Sequence, residues 1–409
     1  MKKLLIIGFV WPEPNSTAAG SRLMQLIEMF QNDGWDITFA TTAVPSGNEF
    51  NLNSLGITTK KITLNSVSFD NFIKILKPEV VMFDRFMIEE QFGWRVEEHC
   101  PDAVKILDTE DLHFLRKARE KVFKAKKKLE KQDLLSDYFR RELAAMYRCD
   151  LNLIISSFEY ELLQSEFDFP RYLLHYIPFV QAAIQANSIE KLPNFNHRKD
   201  FITIGNFLHA PNLDSVLFLK ETIWPIIKKQ LPAAVMNVYG AYGYEKAQRM
   251  HDPKGGFLIH GRAQNANRVL KEARVCLSPL RFGAGLKGKF IDAMNAGTPI
   301  VTTSIGAEGM TVGKKWAGCI EDEPHAIAKN AILLYENSSE WQKAQGVGFD
   351  IINSLFKKEM HQSSLIDALN EAIRNKKQLR QRNIVGQLLK YHQLQSTKYM
   401  AKWIEEKNK

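Results

Sequence analysis

Apolar residues along this chain gather in short runs bounded by polar or turn residues, with helical spacing between the runs. The runs at 4–10, 36–41, 80–83, 104–107 and 151–156 read as buried strands. A strand covered on both faces is continuously apolar instead of alternating. Between the first two, the segment 19–32 places Leu23, Leu26, Ile27 and Phe30 at i, i+3, i+4 and i+7, one face of a helix. Such alternation of strand and helix predicts a parallel sheet with crossover helices. Lys2 and Lys3 precede the first run. That run is read as a first strand and not as the apolar core of a leader, because the α/β pattern continues from it. Residues 112–147 are Lys-rich and mostly helical. They are too long for a plain crossover and are expected to project or to lie along the surface.

The pattern lapses over 181–198 and then resumes. Strands are predicted at 201–204, 235–239, 257–259, 275–278, 299–302 and 318–320, with helices between them, for instance at 212–220 and 286–295. Beyond Pro324 only helical patterns remain. The expectation is an N-terminal Rossmann-like domain over 1–180, a linker over 181–198, a second Rossmann-like domain over 199–375 and a basic helical tail over 376–409. Two doubly wound α/β sheets facing each other leave a cleft at their carboxyl edges, where open sheets of this kind bind ligands.

Composition narrows the class. The 409 residues suit two domains, and 25% charged with 45% hydrophobic residues excludes a disordered chain or a small disulfide-stapled scaffold. No apolar run reaches the length of a membrane-spanning helix. The net charge of +9 is unevenly spread. The segment 116–131 has nine Lys/Arg against two Glu, and 374–409 has ten against two, so the rest of the chain is acidic. Local basic patches point to an anionic partner surface, and no nucleic-acid-binding motif accompanies them. The alternative is solvated helix faces. Cys100, Cys149, Cys276 and Cys319 lack metal-ligand spacing and read as free thiols in a reducing compartment.

The sharpest local signal lies where the strand at 275–278 runs into glycines and a helix leaves them. Gly283, Gly285 and Gly288 let the backbone approach a ligand, and the helix N-terminus presents free N–H groups. Lys287 and Lys289 stand at that end, where cations disfavour the helix unless an anion neutralises them. Four readings compete. Gly283, Gly288 and Lys289 fit a P-loop, but Phe290 replaces the Ser/Thr that would hold magnesium. Gly283, Gly285 and Gly288, with Glu308 downstream, fit a dinucleotide fingerprint, but after about the fourth strand instead of the first. The others are a sugar nucleotide with its diphosphate on the lysines, and a plain strand-to-helix turn with solvated lysines. Residues 302–310, with Glu308, make a further loop on the same edge.

The stretch from Phe282 through Asp292-Ala293-Met294-Asn295-Ala296-Gly297-Thr298-Pro299 to Gly309 resembles the donor-site segment of retaining glycosyltransferases with the two-Rossmann GT-B fold, most closely glycosyltransferase family 4. Residues 205–214 resemble that family's opening of the second domain, and Trp11-Pro12-Glu13-Pro14 through Arg22 its first-domain glycine loop. The resemblance implies a transferase that takes a nucleotide-diphosphate sugar as donor, needs no metal or other cofactor, and serves a glycan or lipid-linked acceptor. It implies a cytoplasmic location, peripheral at the inner membrane face, in polysaccharide or glycolipid synthesis. Asp292 would take the second acid of the family's E-x7-E element and contact the ribose. The first acid would fall on Ala284, so that carboxylate is absent. Lys287 and Lys289 match a basic pair for the diphosphate, and Gly20 the loop that closes over it. His113 and Asp108 are candidates for the cleft-edge catalytic groups, with a helix cap as the alternative. The competing functions are a sugar-nucleotide epimerase of the same fold and a nonenzymatic sugar-nucleotide-binding scaffold, the latter favoured by Ala284 and the shortened acid at 292.

Overall fold

The computed structural model describes residues 2–313 and 315–407. Asn408 and Lys409 of the expected tail lie outside the described residues, as do Met1 and Lys314.

Two parallel sheets form. The first contains β1 (Lys3–Gly8), β2 (Asp36–Thr41), β3 (Thr58–Lys61), β4 (Val80–Asp84), β5 (Val104–Asp108), β6 (Leu151–Ile154) and β7 (Leu174–Tyr176), in the order β3-β2-β1-β4-β5-β6-β7. The second contains β8 (Lys199–Ile204), β9 (Met236–Tyr239), β10 (Phe257–Gly261), β11 (Ala273–Ser278), β12 (Ile300–Thr302) and β13 (Gly318–Ile320), in the order β10-β9-β8-β11-β12-β13. The order in which strands are added reverses between β1 and β4 in one sheet and between β8 and β11 in the other. These are the switch points where crevices open.

β1 is central because its apolar run can be covered on both faces. Leu5 and Ile7 enter one core layer, with Phe83, Phe92 and Leu107. Leu4 and Ile6 enter the other, with Leu26, Ile27 and Phe30. The Ala18–Asn32 helix follows from the predicted stripe, with Thr17 as N-cap accepting from the Gly20 N–H. Two strands escaped the sequence reading. β3 is the polar tetrapeptide Thr-Thr-Lys-Lys on the sheet edge, and β7 has only three residues. Neither carries an apolar run for periodicity to detect.

Three expectations need correction. The 112–147 stretch is mostly helical, as expected, but does not project. It breaks into the helices His113–Lys124, Lys131–Leu134 and Asp137–Arg148. The first is drawn into the first core by Phe114, Leu115 and Ala118, and its opposite face touches the second domain. The 181–198 segment is no free linker. Arg198 donates to the Ala296 carbonyl and to Thr298 Oγ1, and Asn353 holds both backbone groups of Ile184. The second domain also ends short of 375. The Lys358–Arg374 helix crosses back and buries Leu365, Leu369 and Ala372 against the first sheet, and the Ile384–Lys407 helix follows it onto that domain. The two crossings touch: Gln181 N–H donates to the Phe356 carbonyl at 2.6 Å, and Lys358 N–H to the Gln181 carbonyl at 2.9 Å.

Candidate functional site

The carboxyl edges of both sheets face one cleft of about 930 Å³, near the upper end of the usual range for ligand sites. One wall is the glycine loop and the Gly288–Asn295 helix after β11. Lys289 reaches from this helix to the β8/β11 switch point, where its Nζ donates to Asn212 Oδ1 at 2.7 Å and to Ser278 Oγ at 3.4 Å. Gly205, just past β8, makes room for that approach, since a Cβ there would stand 2.8 Å from Asn212 Nδ2 and 3.1 Å from Lys289 Nζ. Burial lowers the Lys289 ammonium to about 8. Burial also lowers Lys287, against the pull of Glu308. Its Nζ donates to the Gly285 carbonyl at 2.8 Å. Both lysines line the cleft, and an anion between them would restore their charge.

Asp292 lies one turn farther along this helix. It is open to the cleft yet crowded by protein, and that desolvation raises its carboxyl to about 6. Gly283 and Gly285 form the loop in backbone conformations suited to glycine, with φ of +150° and +64°. A Cβ on Gly285 would also meet Asp111 Cβ at 2.9 Å. Ala284 lines the cleft and also packs against the first domain's core.

The facing wall comes from the ends of β1, β4 and β5. His113 opens its helix and lines the cleft. Its ring Nδ1 lies 3.2 Å from Asp111 Oδ1 and 3.3 Å from Glu142 Oε1. Burial disfavours the charged ring, but the two carboxylates outweigh it and hold His113 above its ordinary value. Arg116 pairs with Asp111 at 2.6 Å. Burial, with Asp108 adding, raises Glu110 to about 8. Arg85 and Glu110 carry φ of +73° and +64°, strain of a kind that concentrates at functional sites.

Three sequence candidates fall outside the cleft lining. Asp108 is 1% exposed and held by Arg22, with Nε at 2.9 Å and Nη2 at 2.8 Å from Oδ1. It is a structural ion pair, because β5 delivers its side chain beneath the cleft floor onto the Ala18–Asn32 helix. Gly20 packs behind the first-domain loop, where a Cβ would stand 2.5 Å from the Glu13 backbone. Its glycine serves close packing, and Pro14 to Ala19 meet the cleft instead. Glu308 is engaged by Arg119 through two bonds of 2.8 Å. That clamp ties it to the other domain and turns it from the ligand.

The sequence reading also missed the residues that span the domains. Arg119 donates to the Gly283 carbonyl at 2.9 Å as well as to Glu308. Phe123 stacks on Phe282 with centroids 5.1 Å apart. Glu159, from the Ser157–Phe167 helix, accepts from the N–H of Gly285 at 2.7 Å and of Leu112 at 3.0 Å. At the cleft mouth Tyr242 donates to Glu13 Oε2 at 2.5 Å, and Arg262 to Asn48 Oδ1 at 2.8 Å. No local motif marks the cross-domain pairs among these, which join residues more than 120 positions apart. His209 and Asn212 lie in the quoted 205–214 stretch and line the cleft. Burial lowers His209 to about 4.

Residues 198–337 match the family described as Glycosyl transferases group 1. An uncharacterized 44.6 kDa protein in the cps region of Klebsiella pneumoniae is 23% identical over 163 residues; the match takes in 38% of this chain and 42% of that protein, less than half of either. Solved structures match nearly end to end at low identity. Sucrose-phosphate synthase from Thermosynechococcus elongatus has a TM-score of 0.66 at 14% identity, covering 91% of this chain and 100% of its own. A variant of S. aureus TarM, solved with fondaparinux, alpha-GlcNAc-glycerol and UDP, gives 0.69 at 10%, covering 90% and 100%. The pneumococcal O-GlcNAc transferase GtfA, solved with UDP and GlcNAc, gives 0.66 at 10%, covering 91% and 99%. Residues 198–337 carry a glycosyl transferases group 1 domain, and the chain as a whole has the two-Rossmann architecture of the GT-B glycosyltransferases.

Proposed function

We propose that this protein is a glycosyltransferase of family 4 type, moving a sugar from a nucleoside-diphosphate sugar to a glycan or lipid-linked acceptor with retention of configuration. The observation that carries the reading is Lys289. Its ammonium, on a half-buried side chain, stands at the β8/β11 switch point beside a glycine loop and a helix N-terminus, on the matched domain. Breaking a sugar–phosphate bond puts negative charge on the departing diphosphate. A preorganised cation and free N–H groups stabilise that charge without reorganising. Lys287 adds a second cation, and Asp292 is placed for the ribose hydroxyls. Burial opposes the charged ring of His113, but Asp111 and Glu142 hold it above its ordinary value, and it faces the donor wall from the acceptor side. In this reading the leaving phosphate itself takes the acceptor proton, and no added metal or cofactor is used. UDP in the TarM and GtfA structures and the cps-region relative favour a uridine donor and a surface polysaccharide or glycolipid product.

The test is calorimetry with UDP, GDP, ADP, CMP and NAD, without metal and then with magnesium, followed by incubation with the matching sugar donor. Micromolar binding of one nucleoside diphosphate, then donor turnover giving the retained anomer by NMR, is expected. Preference for NAD, or binding without turnover of any donor, would overturn the reading.

A further inference from the structure

The Ile384–Lys407 helix sits on the first domain largely through ion pairs. Lys390 pairs with Glu97 at 3.5 Å, Lys398 with Glu98 at 3.1 Å, and Glu405 with Arg95, beside the buried Ala401 and the half-buried Leu389 and Ile404. An apolar stripe of the same helix faces water. Ile384, Leu388, Tyr391, Tyr399, Met400 and Trp403 are each between 57% and 65% exposed. All but Met400 recur at steps of three, four or eight, a stripe along a helix about 36 Å long. An ordinary surface helix does the reverse and buries its apolar stripe.

We propose that this stripe docks the protein on an anionic lipid surface, with the helix lying in the bilayer interface. Three observations select that occupant. The stripe is rich in Tyr and Trp, with Lys402 and Lys407 beside it, and aromatic rings with flanking lysines are the composition of interfacial helices. The charge is complementary. Of the ten Lys/Arg in 374–409, Lys376, Arg380, Lys390 and Lys398 pair with first-domain carboxylates, and Arg374, Lys377, Arg382, Lys402 and Lys407 are exposed. The other basic segment belongs to the same lobe, since the His113–Lys124 and Ile384–Lys407 helices both pack against the Asp137–Arg148 helix. There Lys126, Lys127 and Lys128 are exposed and have no ion pair among the described residues. A second copy of a chain with net charge +9 would bring like charges face to face, whereas an anionic bilayer neutralises them. No helix among the described residues is long and apolar enough to cross a membrane, so the contact lies along the surface.

The experiment is co-sedimentation of the full chain with vesicles of phosphatidylcholine alone or with one-third phosphatidylglycerol. It uses no sugar donor, so its outcome is separate from that of the transferase reading. Binding to the anionic vesicles only, weakened by salt, is expected. The double variant L388E/W403E should bind about tenfold more weakly at unchanged melting temperature, since both side chains are exposed. The triple variant K126E/K127E/K128E should also bind more weakly. Failure to sediment with anionic vesicles at low salt, or undiminished binding by L388E/W403E, would overturn the proposal. So would a dimer in size-exclusion chromatography that L388E/W403E dissolves, which would assign the stripe to a second copy.

Discussion

Glu159 of the first domain holds the backbone N–H of Gly285 in the second at 2.7 Å, and the same oxygen accepts from Leu112 N–H at 3.0 Å. One carboxyl thus joins the glycine loop to the segment that positions His113. Burial, with Asp111 adding, raises Glu159 to about 8, so near pH 7 it is largely a neutral acid whose carbonyl oxygen does the accepting. Glu159→Gln preserves that acceptor and should leave stability within about 0.5 kcal/mol. Glu159→Ala orphans two buried N–H groups and should cost about 1–3 kcal/mol. Denaturant midpoints of the two variants at pH 7 provide the check.

Lys289→Ala should weaken nucleoside-diphosphate affinity by about 1–3 kcal/mol, the cost of a charge-assisted contact. Calorimetry on folded variant is the measurement. Unchanged affinity would remove Lys289 from any phosphate role.

The lowered Lys289 also sets a pH dependence. With the free-protein value near 8, the ammonium is charged below pH 7 before ligand arrives, and affinity is insensitive to it there. A bound diphosphate raises that value. Above pH 8 the ligand must therefore bring a proton back, and affinity should fall by up to about tenfold per pH unit. Titration of binding from pH 6.5 to 9.5 tests this, and the slope should become shallower in Lys289→Ala, with the remainder due to Lys287, which burial also lowers to about 8.

Arg22 and Asp108 form a buried ion pair at 2.8 Å, both side chains 1% exposed. Arg22→Ala strands a buried carboxylate and should cost about 3–5 kcal/mol. A catalytic Asp108 would instead cost activity at unchanged stability, so thermal melts of Arg22→Ala and Asp108→Asn separate the two roles.

Arg119 and Glu308 should show a coupling of about 0.5–3 kcal/mol in a double-mutant cycle on stability or donor affinity. Their bonds cross the cleft, so the coupling should vanish if the two residues are separated when ligand binds.

Much of the fold was legible because β1 and β4 are covered on both sides and show it as unbroken apolar runs, Leu4–Ile7 and Val80–Phe83. The glycine loop was legible because a strand end, three glycines and two lysines sit within a dozen residues. Asp108, Gly20 and Glu308 were misplaced for one shared reason. Each stands at a strand end or loop near the cleft, but sequence spacing does not say whether a side chain points into a cavity or beneath its floor. Arg22, Arg119 and Glu159 were invisible because their partners are 86, 189 and 126 positions away. The return of the Lys358–Arg374 helix was hidden likewise, since its apolar face fits either domain and only packing decides.

The paired crossings at Gln181 and Phe356–Lys358 constrain how such a molecule can move. Two connections far apart would permit twist and shear between the sheets. Here both pass through one spot, bonded to each other by two backbone hydrogen bonds. A rotation of one lobe about that spot is the motion such tethering leaves open, and it would have to break the cross-domain contacts of Arg119 and Tyr242. A cut in either connection leaves the other in place to carry the hinge.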